Sequence, residues 1–539
     1  MNIKEIEDNF RPTDDGKCAI ADNGMVTTAF PDATRAGVKI LQAGGNAIDA
    51  ACSAALALGV CEPQASGVGG QTMMLIYNGK KVIAIDGSSR APSLAHVNAM
   101  YKFDRVSGYR ATTVPSTLAT IGYVQKKFGI LPWYKIVEPA IQIAVEGYAI
   151  TKLQHDLQLR EITKFNTVES KSGIKYFYKN GFPYKTGDTF IQPDLAKMLA
   201  KIAQNGVEEF YTGSIAKIID ADMREHGGLL RKDDLALIPW PIERQPLRGK
   251  FRKMNIFTMP PPGSGRTLLF ALSMLNAIQP NKLSKNRQML ILAEIFRKAF
   301  LERSDRPFDP NFYPQVADKE MLSSRHAQQC IKAIAKMVAP GLPIRETEDE
   351  LSGETTHLSV IDKDGSGVSL TQSIERVYGS KAACESFGFL YNNYILDFEF
   401  DIPGHPFYLR PNSVPWATVA PTLIFNKKKL WMALGSPGSE RIISTITQFL
   451  LHMFDKGMSM KEAMIEPRLH CSLGGRISLE ADRFSQDIVS SLTEHGYRIS
   501  KKDPYSFYLG AIHAVLKCHD NSGFQGVAEI RRDGIAAGY

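Results

Sequence analysis

The sequence predicts an α+β or layered α/β protein whose sheets are covered by helices. Three features predict it: apolar/polar alternation near both ends, long stretches with helical periodicity between them, and Gly/Pro/Asn punctuation separating the two. The 539 residues are 44% hydrophobic and 22% charged, which excludes a disordered or fibrous chain. At ~150 residues per domain, three or four domains or one large layered unit are both allowed. A net charge of +8, spread along the chain, makes a weak case for nucleic acid or an anionic membrane, and neither partner is expected.

The elements follow in order. Residues 25–29 read as a strand, and Pro31-Asp32-Ala33-Thr34 opens a helix to residue 41 that Gly44-Gly45 stops. Residues 49–58 form an Ala-rich helix, and 72–77 with 81–86 form a hairpin around Asn78-Gly79. Residues 116–205 are mainly helical, with Leu131-Pro132-Trp133 starting one helix and residues 138–147 forming another. MPPPGSG (259–265) is a rigid turn into a helix over 267–278, and 288–336 is helical. The polar segment 340–353 (PGLPIRETEDELSG) has the composition of an exposed, cleavable linker. Two alternating runs then flank Lys363-Asp364-Gly365. The strands ATVAPTLIF and KKLWMALGS follow around a solvated Lys427-Lys428-Lys429 turn, then the helix IISTITQFLLHMF and the strands RISLEAD and HAVLKCHD.

Seven cysteines without a C-x-x-C pair argue against a disulfide framework or structural zinc site, and the eleven histidines show no metal-ligand clustering. No metal or cofactor is expected. The N-terminus mixes both charge signs, and the most apolar stretch, 50–61, is about half a membrane span, so the chain reads as soluble and cytoplasmic. There is no G-x-S-x-G or H-E-x-x-H, and GSGRT lacks phosphate-loop spacing.

Glu354-Thr355-Thr356-His357 carries the chemistry. A threonine hydroxyl needs an adjacent base, and the residue's own α-amine, with a pKa of about 7.7–8.0, is one solution. An internal Thr355 has no such amine until the Glu354–Thr355 bond is cut, through attack of its hydroxyl on the Glu354 carbonyl. If Asp362 opposes Ser366 across a three-residue hairpin loop, Thr355 opposes Ser373; a one-residue slip would put Gln372 there. Gly435-Ser436-Pro437-Gly438-Ser439, before a helix, is either an oxyanion-binding turn or a helix N-cap at Ser439.

Ordered along nearly the whole chain, GGNAIDAA, CEPQASGVGG, VPST, LPWYKIVEPAIQIAVEGY, PPPGSG, TTHLSVIDKDG, FLYNNYILDF, LGSPGSERI, EPRLH and RRDGIAAGY resemble the γ-glutamyltranspeptidase family of N-terminal-nucleophile hydrolases. The resemblance implies a four-layer αββα sandwich and a proenzyme that cuts itself into segments 1–354 and 355–539, which form one folded unit. It implies Thr355 as nucleophile, Ser373 supporting its hydroxyl, and the Gly438 and Ser439 amides as oxyanion donors. A Gly is usual at the Ser439 position, but the backbone N–H survives the change. Asp397 would hold a substrate α-ammonium. An acyl-enzyme at Thr355 would pass its acyl group to water or an amine.

The departures fall on recognition. Ser88 stands where the family has an Arg for the α-carboxylate, with Arg90 two residues on. Glu375 and Tyr394 replace an Asn and a Gln, Ala417-Thr418 replaces a Ser-Ser pair, and the segment between Asp397 and Ala417 is shorter than the lid-bearing version. Two enzymatic expectations follow: hydrolysis of γ-glutamyl amides such as glutathione, or, as in the cephalosporin-acylase and oxamate-amidohydrolase branches, action on another acyl group. A third is an unprocessed, non-catalytic binding relative. The partners expected are a small amide or peptide substrate and the two associated segments, and the resemblance is compatible with a homodimer of the processed unit.

Overall fold

A computed structural model describes residues 3–305, 318–336, 353–520 and 522–539. Its centre is two facing seven-stranded sheets, antiparallel throughout. The first runs Ala536–Gly538, Gly24–Thr27, Gly353–Asp362, Gly367–Arg376, Gln71–Tyr77, Val82–Gly87, Ile242–Arg244. The second runs Cys18–Ala21, Phe524–Ala528, His513–Lys517, Lys429–Gly435, Thr422–Asn426, Met254–Thr258, Leu247–Phe251. Each sheet interleaves strands from before and after Thr355.

Successive strand side chains point to opposite faces, and that period separates the cores. Met25, Met73 and Leu75 point inward to meet Leu423, Ala433 and Val515 of the other sheet. Val26, Met74 and Ile76 point outward against helices Pro31–Gln42, Ala47–Cys61 and Thr117–Phe128. On the far side Ile256, Met432 and Leu516 meet helices Gly265–Asn276, Lys285–Asp305 and Arg441–Lys456. The result is the four-layer αββα sandwich. With both faces covered, the central strands read as near-continuous apolar runs.

Local signals explain the helix ends. In GGNAIDAA, Asn46 Oδ1 accepts from the Ile48 and Asp49 amides while Asp49 Oδ2 accepts from the Asn46 amide, a reciprocal N-cap for Ala47–Cys61. Two helices expected around residues 131–147 are instead one, Trp133–Glu146, with Pro139 inside it. Pro139 removes a backbone donor, a cost of roughly 3 kcal/mol in a helix interior. Burial of Ile136, Val137, Ala140 and Ala144 beside it offsets that cost. The helical stretch expected over 288–336 is three helices, Lys285–Asp305, Asp318–Met321 and Ser324–Lys336. Residues 340–352 of the expected linker lie outside the described residues.

The sheets approach closely where the site lies. A Cβ on Gly435 would sit 2.2 Å from the His357 ring, so only glycine admits that imidazole. Ser359 Oγ donates to the His513 carbonyl at 3.0 Å and Ser369 Oγ to the Leu434 carbonyl at 2.8 Å, tying one sheet to the other. All seven cysteines are buried and unpaired with one another. No helix among the described residues is long and apolar enough to cross a membrane.

Candidate active site

The hairpin loop sets the register. The Asp362 amide donates to the Ser366 carbonyl, Asp362 Oδ1 accepts from the Ser366 amide, and Gly365 takes the left-handed φ of 82° that closes the loop. Counting outward, Thr356 pairs with Gln372, and a bulge between Glu354 and Thr356 sets Thr355 against Ser373 and Ile374 without a ladder partner of its own. Thr355 Oγ1 donates to Ser373 Oγ at 3.4 Å, and Ser373 Oγ donates to the Glu354 carbonyl at 2.7 Å. The Glu375 amide, on a residue with φ 78°, donates to the same Ser373 oxygen at 2.8 Å. One serine hydroxyl thus joins the threonine hydroxyl to the carbonyl of the bond between Glu354 and Thr355.

Glu354 and Thr356 point the other way, into a buried polar pocket. The Glu354 carboxylate meets Arg532 at 3.0 Å. Burial pushes the Glu354 carboxyl up and Arg532 opposes that. Burial holds Glu62, beside Thr356, at about 8. His357 keeps its imidazole neutral because burial drives its pKa far down; its ring nitrogens bond Thr371 and Ser359.

Gly438 and Ser439 adopt φ values of 115° and 53° just before helix Arg441–Lys456. Ser439 does not cap that helix: the N-cap is Glu440, without a side-chain cap bond. Neither the Gly438 nor the Ser439 amide donates a hydrogen bond among the described residues, so both remain unspent. Ser439 packs against Gly353, where an added Cβ would lie 2.9 Å from its own Cβ. Two unspent amides at a helix start beside residue 353 are donors available to an anion.

Beyond them opens a cavity of about 540 Å³ whose lining includes Glu375, Asp397, Thr418 and Ser439. Asp397 is half-buried, and desolvation together with the adjacent Glu375 carboxyl raises its pKa well above the usual range, against the pull of Arg376 and Arg303. Tyr394 is buried next to them; burial and Glu375 push its phenol far up, opposed by a hydrogen bond with Ser373. The PPPGSG turn positions Thr418: Ser264 Oγ donates to the Ala417 carbonyl and its amide to the Val419 carbonyl. Arg90 is not in the cavity lining; its backbone bridges Val114. Ser88 Oγ donates to Asp86.

Sequence reasoning missed Arg303. It comes from helix Lys285–Asp305, is 8% exposed, lines the cavity, and stacks its guanidinium 4.3 Å from the centre of the Trp416 ring. It makes no side-chain hydrogen bond among the described residues. Burial lowers its pKa to about 10, opposed by Glu440 and Asp397, so it stays charged at neutral pH. Arg376, Arg441 and Arg476 also line the cavity, against Glu399 and Glu440, alongside an apolar wall that includes Phe300, Phe398 and Phe407.

Comparison with known proteins places the chain in a family. The sequence model of the family described as Gamma-glutamyltranspeptidase matches residues 33–539. The glutathione hydrolase proenzyme of Escherichia coli (strain K12) is 32% identical, over 99% of this chain and 94% of its own length. The acylase ACY 1 proenzyme of Pseudomonas sp. (strain V22) is 30% identical, over 96% and 94%. The crystal structure of cephalosporin acylase from Bacillus halodurans superposes with a TM-score of 0.88 at 26% identity, covering 98% of each chain. The chain belongs to the gamma-glutamyltranspeptidase family.

Proposed function

We propose that the protein is a self-processing threonine hydrolase and acyltransferase in which Thr355 is the nucleophile. The observation that carries this reading is the Ser373 hydroxyl held between Thr355 Oγ1 and the Glu354 carbonyl. Thr355 Oγ attacks the Glu354 carbonyl carbon, the C–N bond breaks, and the acyl group passes to oxygen as an ester while the amine is freed. Water then hydrolyses the ester, leaving a carboxylate on Glu354 and a free amine on Thr355. That amine takes the hydroxyl proton in later turnovers, and the Gly438 and Ser439 amides receive the developing oxyanion. Residues 1–354 and 355–539 stay together, because both segments contribute strands to each sheet.

The relatives named as glutathione hydrolases make a γ-glutamyl amide the first substrate to test, with Asp397 and Glu375 meeting its ammonium and Tyr394 and Thr418 flanking the acyl chain. Arg303, and not Arg90, offers a cation to its carboxylate. One observation favours a second reading, an acylase acting on a non-γ-glutamyl amide: Ser88 is committed to Asp86 where the family's carboxylate-binding Arg is expected. Intact-mass analysis followed by hydrolysis of γ-glutamyl and glutaryl anilides tests both. Two fragments and γ-glutamyl turnover support the first reading. Turnover of glutaryl anilide alone supports the second, and an uncut but active chain overturns the mechanism.

A further inference from the structure

We propose that Glu302, His326 and Cys330 form a zinc-type metal site that clamps helix Lys285–Asp305 to helix Ser324–Lys336. Their donor atoms lie within 4.8 Å of one another. Glu302 Oε1 is 3.4 Å and Cys330 Sγ 3.7 Å from the same atom, His326 Nε2. A tetrahedral ion with Zn–N and Zn–O near 2.0–2.1 Å and Zn–S near 2.3 Å holds N and O about 3.3–3.4 Å apart and N and S about 3.6 Å apart. The two separations that meet at His326 Nε2 match that geometry, and the third, between Glu302 and Cys330, lies within 4.8 Å and would settle to about 3.5 Å around a bound ion.

The hydrogen-bond chemistry points the same way. Both contacts converge on one imidazole nitrogen, whose single proton serves the carboxylate and reaches the weakly accepting sulfur only as a shared, long contact. A cation between them takes a lone pair from each of the three. His326 and Cys330 are four residues apart, on one face of their helix. Phe270 stacks on the His326 ring at 5.2 Å and 18°, fixing its plane, and Lys298 Nζ lies 3.0 Å from Glu302 Oε1 as an outer-sphere partner. His326 is 20% exposed, which leaves a fourth position open to water. On binding, the Cys330 thiol gives its proton to solvent and the thiolate sulfur bonds the metal. The sequence hides the set because Glu302 sits on a different helix. Glu302 also adjoins Arg303, so the clamp would steady the helix end that carries a cation to the cavity.

The full chain, stripped with chelator, is titrated with zinc chloride and, separately, with cobalt chloride. The proposal expects one equivalent of zinc retained through gel filtration and a near-ultraviolet sulfur-to-cobalt charge-transfer band. Cys330→Ser should abolish the band, and His326→Ala should weaken zinc binding by at least about tenfold. If Cys330→Ser fails to fold, the wild-type cobalt spectrum still decides, since no other cysteine belongs to a metal-ligating group among the described residues. A wild-type chain that retains no zinc and shows no band overturns the proposal, as does a Cys330→Ser chain that binds as the wild type does.

Discussion

The strand pair around Thr355 and the cavity wall facing it are assembled by different rules. The first is local: residues 354–375 of one hairpin supply the hydroxyls, the carbonyl and the amide that meet at Ser373. The second is collected from afar, with Arg303 from a helix, Asp397 from the end of a 3-10 helix, and Trp416 and Thr418 from an irregular segment. Bond-making groups on adjacent strands inherit their spacing from the backbone ladder. Recognition groups can be exchanged one by one without disturbing that ladder.

The contrast can be broken by substitution, beginning where the effect is largest. Thr355→Ala should leave one uncut chain on intact-mass analysis and lower turnover by at least ~10⁴-fold. Ser373→Ala removes the donor on the Glu354 carbonyl and should slow self-cleavage by roughly 10²–10³-fold, read from the time course of fragments on denaturing gels. Ser373→Thr should recover most of the rate. Arg303→Met should still cut itself, yet raise KM for carboxylate-bearing acyl donors by about 10–100-fold, the scale of a lost charge-assisted hydrogen bond. If Arg303→Met blocks self-cleavage, the division between the two regions fails.

Two further tests probe the scaffold they share. Gly435→Ala pushes a methyl onto the His357 ring and should cost about 1–3 kcal/mol, seen as a lower Tm. The acid response is smaller for any one residue. His513, buried between the sheets, has a folded pKa of about 3 against 6.5 unfolded, burial being the main cause. Between those values the unfolded chain binds the extra proton, so stability rises with pH and is lost as pH falls below 6.5. His513→Gln should flatten denaturant-derived stability against pH by about 1.4 kcal/mol per unit in that window.

How much could be read in advance divides along the same line. The Asp362–Ser366 loop motif carries its own geometry, so the placement of Thr355 against Ser373 follows by counting residues. The bulge that shifts Glu354 onto Glu375 does not, because nothing in a strand's alternation marks where a pleat is interrupted. Pro139 misled the division of Trp133–Glu146, since a sequence shows the lost donor and not the packing that offsets it. Arg303 was invisible for a third reason: its environment depends on Trp416 and Asp397, roughly a hundred residues away, and only tertiary structure brings them together. The same holds for Glu302, His326 and Cys330.

The ion pair between Glu354 and Arg532 has a temporal meaning. The two residues are 178 positions apart, and Arg532 is presented by the segment that leads into an edge strand of the sheet holding the junction. A polypeptide emerging from the ribosome would expose the Glu354–Thr355 peptide long before Arg532 exists. In the self-cleavage proposed above, the cut follows the docking of Arg532, so a severed molecule is one in which that distant stretch of chain has already reached the junction.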